Sequence, residues 1–276
     1  MILYLCSGTK NSFIITTEED LINWESLSSN NKKNRQALAK EFCSIVGSRS
    51  DGFVIVKKTP ESLLNQFEWD FFNNDGSRAE MCGNAARCVA YFVKNYMGFD
   101  KDEFNFQTLS GSVGVKVLGN NYFSVKMPPH KITTLWEEEF INNKSFKYCF
   151  INSGVPHAVI ELPNFDRLIM DAIIKKMRFY NKFGTAGANI SFYSKTDSEI
   201  SGITYERGVE NYTNSCGTGA VAIALSIFSK ENKIEDSINR VKIQTPGGEL
   251  IIELDISKKF CWLMGPAGLE EEIHIY

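Results

Sequence analysis

Two stretches of this 276-residue chain set a cysteine and a glycine at the head of a run of small residues: Met81-Cys82-Gly83-Asn84-Ala85-Ala86-Arg87-Cys88 and Ser215-Cys216-Gly217-Thr218-Gly219-Ala220. Each reads as a loop entering a helix. At a helix N-terminus the first N–H groups lack partners and the dipole favours negative charge. A thiol placed there is expected to have a lowered pKa and to serve as a base or nucleophile near neutral pH. The adjacent glycine lets an anion such as a carboxylate approach the backbone N–H groups. Two such elements point to two thiols acting on one small acidic ligand. One, as thiolate, removes a proton from one face of a carbon; the other, as thiol, delivers a proton to the opposite face, and the centre inverts. A single base returns the proton to the side it came from. Helix N-termini aimed at a neighbouring carboxylate would stabilise the charge that develops there, and a closed, dry site would strengthen those contacts.

A cysteine at the start of a buried helix is often only a small core residue. The shared Cys-Gly pattern within an internal repeat argues against that for Cys82 and Cys216, whereas Cys6, Cys43, Cys88, Cys149 and Cys261 read as core. No motif marks a pyridoxal lysine, so no cofactor is expected. There is no Cys-x-x-Cys and there are three histidines, so no metal is expected either. A cysteine hydrolase using His157 would leave the second Cys-Gly unexplained.

The elements that must position these thiols come twice. Gln107-Thr108-Leu109-Ser110-Gly111 recurs as Gln244-Thr245-Pro246-Gly247-Gly248, and at the same spacing Phe123-Ser124-Val125-Lys126-Met127-Pro128-Pro129 recurs as Phe260-Cys261-Trp262-Leu263-Met264-Gly265-Pro266. Ser7-Gly8 and Ser153-Gly154 each precede a β-rich run. The reading is a duplicated domain, each copy about half the chain. Strands are expected at 53–56, 67–72, 104–106, 113–118, 148–152, 190–193, 203–205 and 241–244. Helices are expected over 35–46, capped by Asn34, and over 81–97, 166–178 and 217–229. The two cysteine helices are small and apolar, hence buried nearly all round and wrapped by strands. The tracts 28–34 and 137–144 read as surface loops.

With 43% hydrophobic residues the chain can bury one large or two medium cores. A net charge of −3 with no basic stripe argues against a nucleic-acid partner. No run of about 20 apolar residues suggests a membrane span. The apolar start, Met1-Ile2-Leu3-Tyr4-Leu5-Cys6, is too short for a signal peptide and lacks a basic flank. Seven scattered cysteines do not form a disulfide framework and suit a reducing cytoplasm.

The residues at 81–88 and 215–220 resemble the two cysteine signatures of the diaminopimelate epimerase family, cofactor-independent enzymes of lysine and peptidoglycan precursor synthesis, and the resemblance runs through the whole chain. It implies an α+β fold of two pseudo-symmetric domains from an internal duplication, each a mostly antiparallel sheet or barrel around a central helix. The expected domains are 1–127, to which a last strand at 265–276 returns, and 128–264, with the active site in the cleft between them. It implies that Cys82 and Cys216 transfer the proton, and that Gly83-Asn84 and Gly217-Thr218 hold the reacting carboxylate. Asn11, Asn73, Asn189, Glu206 and Arg207 would grip the distal amino-acid end, a task that suits an acid and a guanidinium. His157, in Val155-Pro156-His157, together with Glu206 would tune a thiol pKa. A homodimer acting on a small amino acid is implied as well.

Four positions depart from the family pattern: Ala85 and Lys10 stand where glycine is common, Gly52 where a glutamine falls, and Val155 where many members have asparagine. The nearest rival is a proline or hydroxyproline racemase, which typically carries histidine where this chain has Asn84; a broader or glutamate-type racemase is another. A non-catalytic binding module of the same fold would have lost a cysteine, and this chain keeps both.

Overall fold

The computed structural model describes residues 1–27, 32–60, 65–119, 121–231, 238–255 and 260–276. The chain forms two compact units, Met1–Lys126 with Gly265–Tyr276, and Met127–Met264. In the first lie β1 (Ile2–Gly8), β2 (Asn11–Thr17), α1 (Glu18–Leu27), α2 (Arg35–Ile45), β3 (Gly52–Lys58), β4 (Phe67–Asn73), α3 (Gly83–Tyr96), β5 (Glu103–Thr108), β6 (Gly111–Gly119) and β7 (Tyr122–Lys126). There follow β8 (Lys131–Ile141), β9 (Lys144–Asn152), β10 (Pro156–Glu161), α4 (Arg167–Met177), β11 (Asn189–Lys195), β12 (Ile200–Glu206), β13 (Asn211–Thr213), α5 (Gly217–Glu231), β14 (Ile238–Thr245), β15 (Gly248–Asp255) and β16 (Phe260–Pro266). The last strand, β17 (Gly268–His274), pairs with β1 in the first unit.

The two units share one strand plan. In the first, β2 runs parallel to β3, β3 antiparallel to β4, and β4 parallel to β5, followed by the meander β5–β6–β7. In the second, β10 runs parallel to β11, β11 antiparallel to β12, and β12 parallel to β14, followed by β14–β15–β16. The repeated Gln-Thr motif makes the same turn twice. Thr108 Oγ1 donates to Gly111 O at 2.8 Å and Thr245 Oγ1 to Gly248 O at 2.7 Å. The glutamine before each donates to that threonine's own carbonyl.

Alternation along β3 shows how the strands serve two cores. Val54 and Val56 face α3, in a cluster that takes in residues of β1, β2 and β4–β7. Phe53 and Ile55 face the opposite way, onto Trp24 of α1 and Leu38 and Phe42 of α2. Successive strand residues point to opposite faces, so a strand covered on both sides reads as an unbroken apolar run. In the second unit α4 covers Ala158, Ile160, Ile190 and Phe192 in the same manner. Gly217 and residues 219–228 of α5 are buried.

Two expectations change. The α3 helix starts at Gly83 rather than Met81, because Cys82 takes an extended N-cap conformation. The tract 137–144 is no loop: it is the hairpin of β8 and β9, closed by Asn142 and Asn143 with φ of 48° and 61°, a two-residue turn that asparagine favours. Its charge belongs to an exposed ribbon. The structure adds helix α1, opened by Thr17-Glu18-Glu19-Asp20 with the spacing of a capping box: Asp20 N donates to Thr17 Oγ1 at 3.0 Å. Asn34 caps α2 as expected, accepting from Ala37 N. Of the tract 28–34, residues 28–31 lie outside the described residues and 32–34 are irregular.

Candidate active site

Each cysteine sits directly before its helix. The first helical bonds run from Ala86 N to Cys82 O and from Ala220 N to Cys216 O, both 2.9 Å. The N–H groups of Gly83 and Asn84, and of Gly217 and Thr218, therefore lie in the turn that intrahelical bonding does not use.

In the first unit the polar residues gather where β2 and β3 begin and β4 ends. Asn84 Nδ2 donates to Asn11 Oδ1 at 2.9 Å, and Asn11 Nδ2 donates to Asp51 Oδ2 at 3.1 Å. Beneath them Arg87 is fully buried. It donates to Asn84 Oδ1 and Thr9 Oγ1, each at 2.9 Å, and no carboxylate among the described residues pairs with it. Asn73 closes β4 with its amide on Ser77 Oγ at 2.9 Å. Gly52, paired across the strands with Phe13 and Asn73, has no room for a side chain: a Cβ would lie 2.5 Å from Phe72 O. The glutamine of the family pattern has no equivalent because this packing excludes one.

In the second unit the same strand ends carry a different set. His157 pairs with Asn189 across β10 and β11, and Glu206 ends β12. Counted along the shared strand plan, His157 stands where Phe13 does, Asn189 where Gly52 does, and Glu206 where Asn73 does. Asn189 Oδ1 accepts from Arg207 N at 2.7 Å, so its amide nitrogen faces His157 Nε2 at 3.2 Å. Nε2 is then an acceptor, and Nδ1 carries the proton toward Ser191 Oγ at 2.9 Å. Thr218 Oγ1 lies 3.0 Å from the same Nε2 and 3.5 Å from Cys216 Sγ, linking histidine to thiol. Burial, and then the Arg207 charge, hold His157 neutral with a pKa lowered to about 3. Arg207 has no carboxylate partner among the described residues; its guanidinium reaches Gly187 O at 3.3 Å.

The Cys216 thiol corrects the expectation of a lowered pKa. Burial and then the Glu206 carboxylate push it well above the ordinary thiol range; Thr218 and the Gly219 N–H pull the other way and lose. An isolated helix terminus favours the thiolate, but removal from water beside a carboxylate outweighs it. Cys216 is a protonated thiol in this state.

Sequence reasoning missed Asp51, Arg87, Ser191 and Thr204. Arg87 stood inside the quoted motif, and a basic residue on an apolar helix face was the signal that could have found it. Ser191 and Thr204, 2.9 Å apart, fill the space against Gly219. A Cβ on Gly219 would lie 2.3 Å from Thr204 Oγ1. The matching residue of the first unit, Ala85, carries its methyl within the α3 core. Gly219→Ala is therefore expected to lower stability by about 1–3 kcal/mol, read by urea unfolding, while Ala85→Gly costs far less.

The sequence profile of diaminopimelate epimerase matches residues 7–132 and 149–270. A diaminopimelate epimerase of Aquifex aeolicus is 31% identical over 260 residues, covering 91% of this chain and 88% of that one. One of Campylobacter jejuni is 35% identical over 248 residues, covering 89% and 87%. This chain belongs to the diaminopimelate epimerase family. The fold is shared more widely. A hydroxyproline epimerase from Agrobacterium vitis superposes with a TM-score of 0.68 at 11% identity, covering all of this chain and 90% of that one. A phenazine biosynthesis protein of Bacillus anthracis superposes with a TM-score of 0.71 at 11% identity, covering all of this chain and 99% of that one. As a family member the chain keeps both cysteines and the glycine after each, Gly83 and Gly217, and departs from the family pattern at Lys10, Gly52, Ala85 and Val155.

Among the described residues no helix is long and apolar enough to cross a membrane, and no cluster of three or more His, Cys, Asp or Glu could hold a metal ion.

Proposed function

We propose that this chain interconverts LL- and meso-diaminopimelate by moving the α-proton between two thiols, Cys82 and Cys216, with no cofactor. The observation that carries the reading is the repeated head: in a member of this family, both copies of the strand plan present Cys-Gly at the N-terminus of a buried helix. One thiolate takes the α-proton. The C–H electron pair spreads into the adjacent carboxylate, held by the N–H groups of Gly83-Asn84 and Gly217-Thr218. The opposite thiol delivers its proton to the other face. The two thiols end with exchanged protonation, ready for the reverse reaction.

Glu206 and Arg207 explain the choice of substrate. A second amino-acid end offers an ammonium to Glu206 and a carboxylate to Arg207, which has no carboxylate partner among the described residues, whereas proline has no second end to offer either. Burial is the larger cause of the raised Cys216 pKa and the Glu206 charge the second; binding of that ammonium offsets the second and moves Cys216 toward acting as a base. His157, too weak a base to take that proton, instead holds Thr218 against the sulfur. Asn11, Asn73 and Asn189 supply further contacts to the distal end. The reading places the protein in the cytoplasm as a homodimer, serving lysine and peptidoglycan precursor synthesis.

Proton NMR of LL-diaminopimelate in heavy water, with reductant and no added cofactor, tests it. The α-proton signal is expected to disappear as meso product forms. Silence on diaminopimelate with exchange on proline or glutamate would keep the two-thiol chemistry and move the substrate; silence on every amino acid would remove the enzyme reading.

A further inference from the structure

Asn11 sits just past a turn that its residues do not favour. Thr9 and Lys10 close the β1–β2 hairpin with φ of 54° and 60°. Two-residue turns of this hand are made by Asn-Gly and its like; a β-branched threonine there is strained. The turn is held from both sides. Arg87 Nη2 donates to Thr9 Oγ1 at 2.9 Å, and Asp51 Oδ2 accepts from Asn11 Nδ2 at 3.1 Å and from Ser12 N at 3.0 Å.

The same two charged groups end a chain of amides running Arg87, Asn84, Asn11, Asp51. A guanidinium can only donate and a carboxylate can only accept. Asn84 must therefore turn its oxygen to Arg87 and its nitrogen to Asn11, and Asn11 must turn its oxygen to Asn84 and its nitrogen to Asp51. With its oxygen committed inward, Asn11 meets a ligand through the second N–H of its amide, which suits a carboxylate. Asp51 is exposed, and Gly52 beside it can carry no side chain, so Asp51 is the polar group that the start of β3 brings to this end of the sheet.

We propose that Asp51 is a positioning residue that sets the orientation of Asn11 toward substrate, with Arg87 as the far anchor of the same chain. The role rests on the reading that Asn11 contacts diaminopimelate. Asp51→Ala is expected to raise KM roughly tenfold with kcat within about twofold of wild type. Asp51→Asn, which keeps an acceptor oxygen in place, restores most of the loss. On an Asn11→Ala background Asp51→Ala adds less than about twofold, since its route to the substrate is already gone. A residue that merely supported the fold would lower Tm with KM unchanged, or add its full effect in the double variant. A nitrogen-15 side-chain amide spectrum reads the contact without substrate: the Asn11 NH2 pair, identified by its loss in Asn11→Ala, shifts in Asp51→Ala and returns in Asp51→Asn. An unchanged KM in Asp51→Ala, full additivity with Asn11→Ala, or an unmoved Asn11 amide overturns the proposal. Wild-type protein inert on diaminopimelate overturns the substrate reading instead, and the amide spectrum then decides the positioning role.

Discussion

Cys82→Ser and Cys216→Ser are each expected to lower the epimerisation rate by about a thousandfold, the scale of a lost general acid or base. In the proposed mechanism each thiol serves one half of the proton transfer in a given direction and the other half in reverse, so neither variant should be spared in either direction. Serine is nearly isosteric, and Cys216 already lies among Thr218, Glu206 and the Gly219 N–H, partners a hydroxyl can use. Folding should therefore be little changed, and a thermal melt within a few degrees of wild type would show that the loss is chemical. Rates measured from both LL and meso substrate check the prediction. A variant that keeps a tenth of the wild-type rate would exclude the two-thiol mechanism.

The second large effect concerns stability. Buried His157 titrates near 3 in the folded protein against an ordinary value of 6.5. Between those values the unfolded chain binds a proton at this residue and the folded chain does not. Stability therefore rises with pH across this window and is lost on acidification, at about 1.4 kcal/mol per pH unit for this one group. At pH 5 the contribution is roughly 2 kcal/mol below its value above pH 7. Carboxylates titrate lower in the window and blur the total, so the comparison is with His157→Gln. That variant is less stable at pH 7, because Ser191, Asn189 and Thr218 lose their partner. Its urea midpoint should nevertheless fall less steeply between pH 7 and pH 5. Parallel slopes for the two proteins would mean that His157 takes up its proton as readily in the folded protein as in the unfolded chain.

Such a neutral histidine separates what was legible from what was not. Its presence near a thiol was readable from Pro156-His157 and the family resemblance. Its tautomer and charge were not, since they follow from the Arg207 N–H on Asn189 and from complete exclusion of water. The Cys216 thiol teaches the same lesson with the opposite sign: the local signal, a helix N-terminus, argued for a lowered pKa, and burial beside Glu206 reversed it.

What the sequence by itself determined is what short-range chemistry determines. The Gln-Thr turns, the Asn34 cap and the cysteines heading α3 and α5 depend on bonds between residues a few positions apart, so their pattern survives in one dimension and shows itself twice. Even the hairpin of β8 and β9 had its local sign, in Asn142-Asn143. Only the tertiary structure decided which distant groups meet. Asp51 reaches Asn11 across forty positions, Arg87 reaches Thr9 across seventy-eight, and Ser191 and Thr204 close the space against Gly219. Burial and the summed field of neighbours are collective properties of the packed chain, and they set the charge on Cys216 and His157 and the absence of room at Gly52.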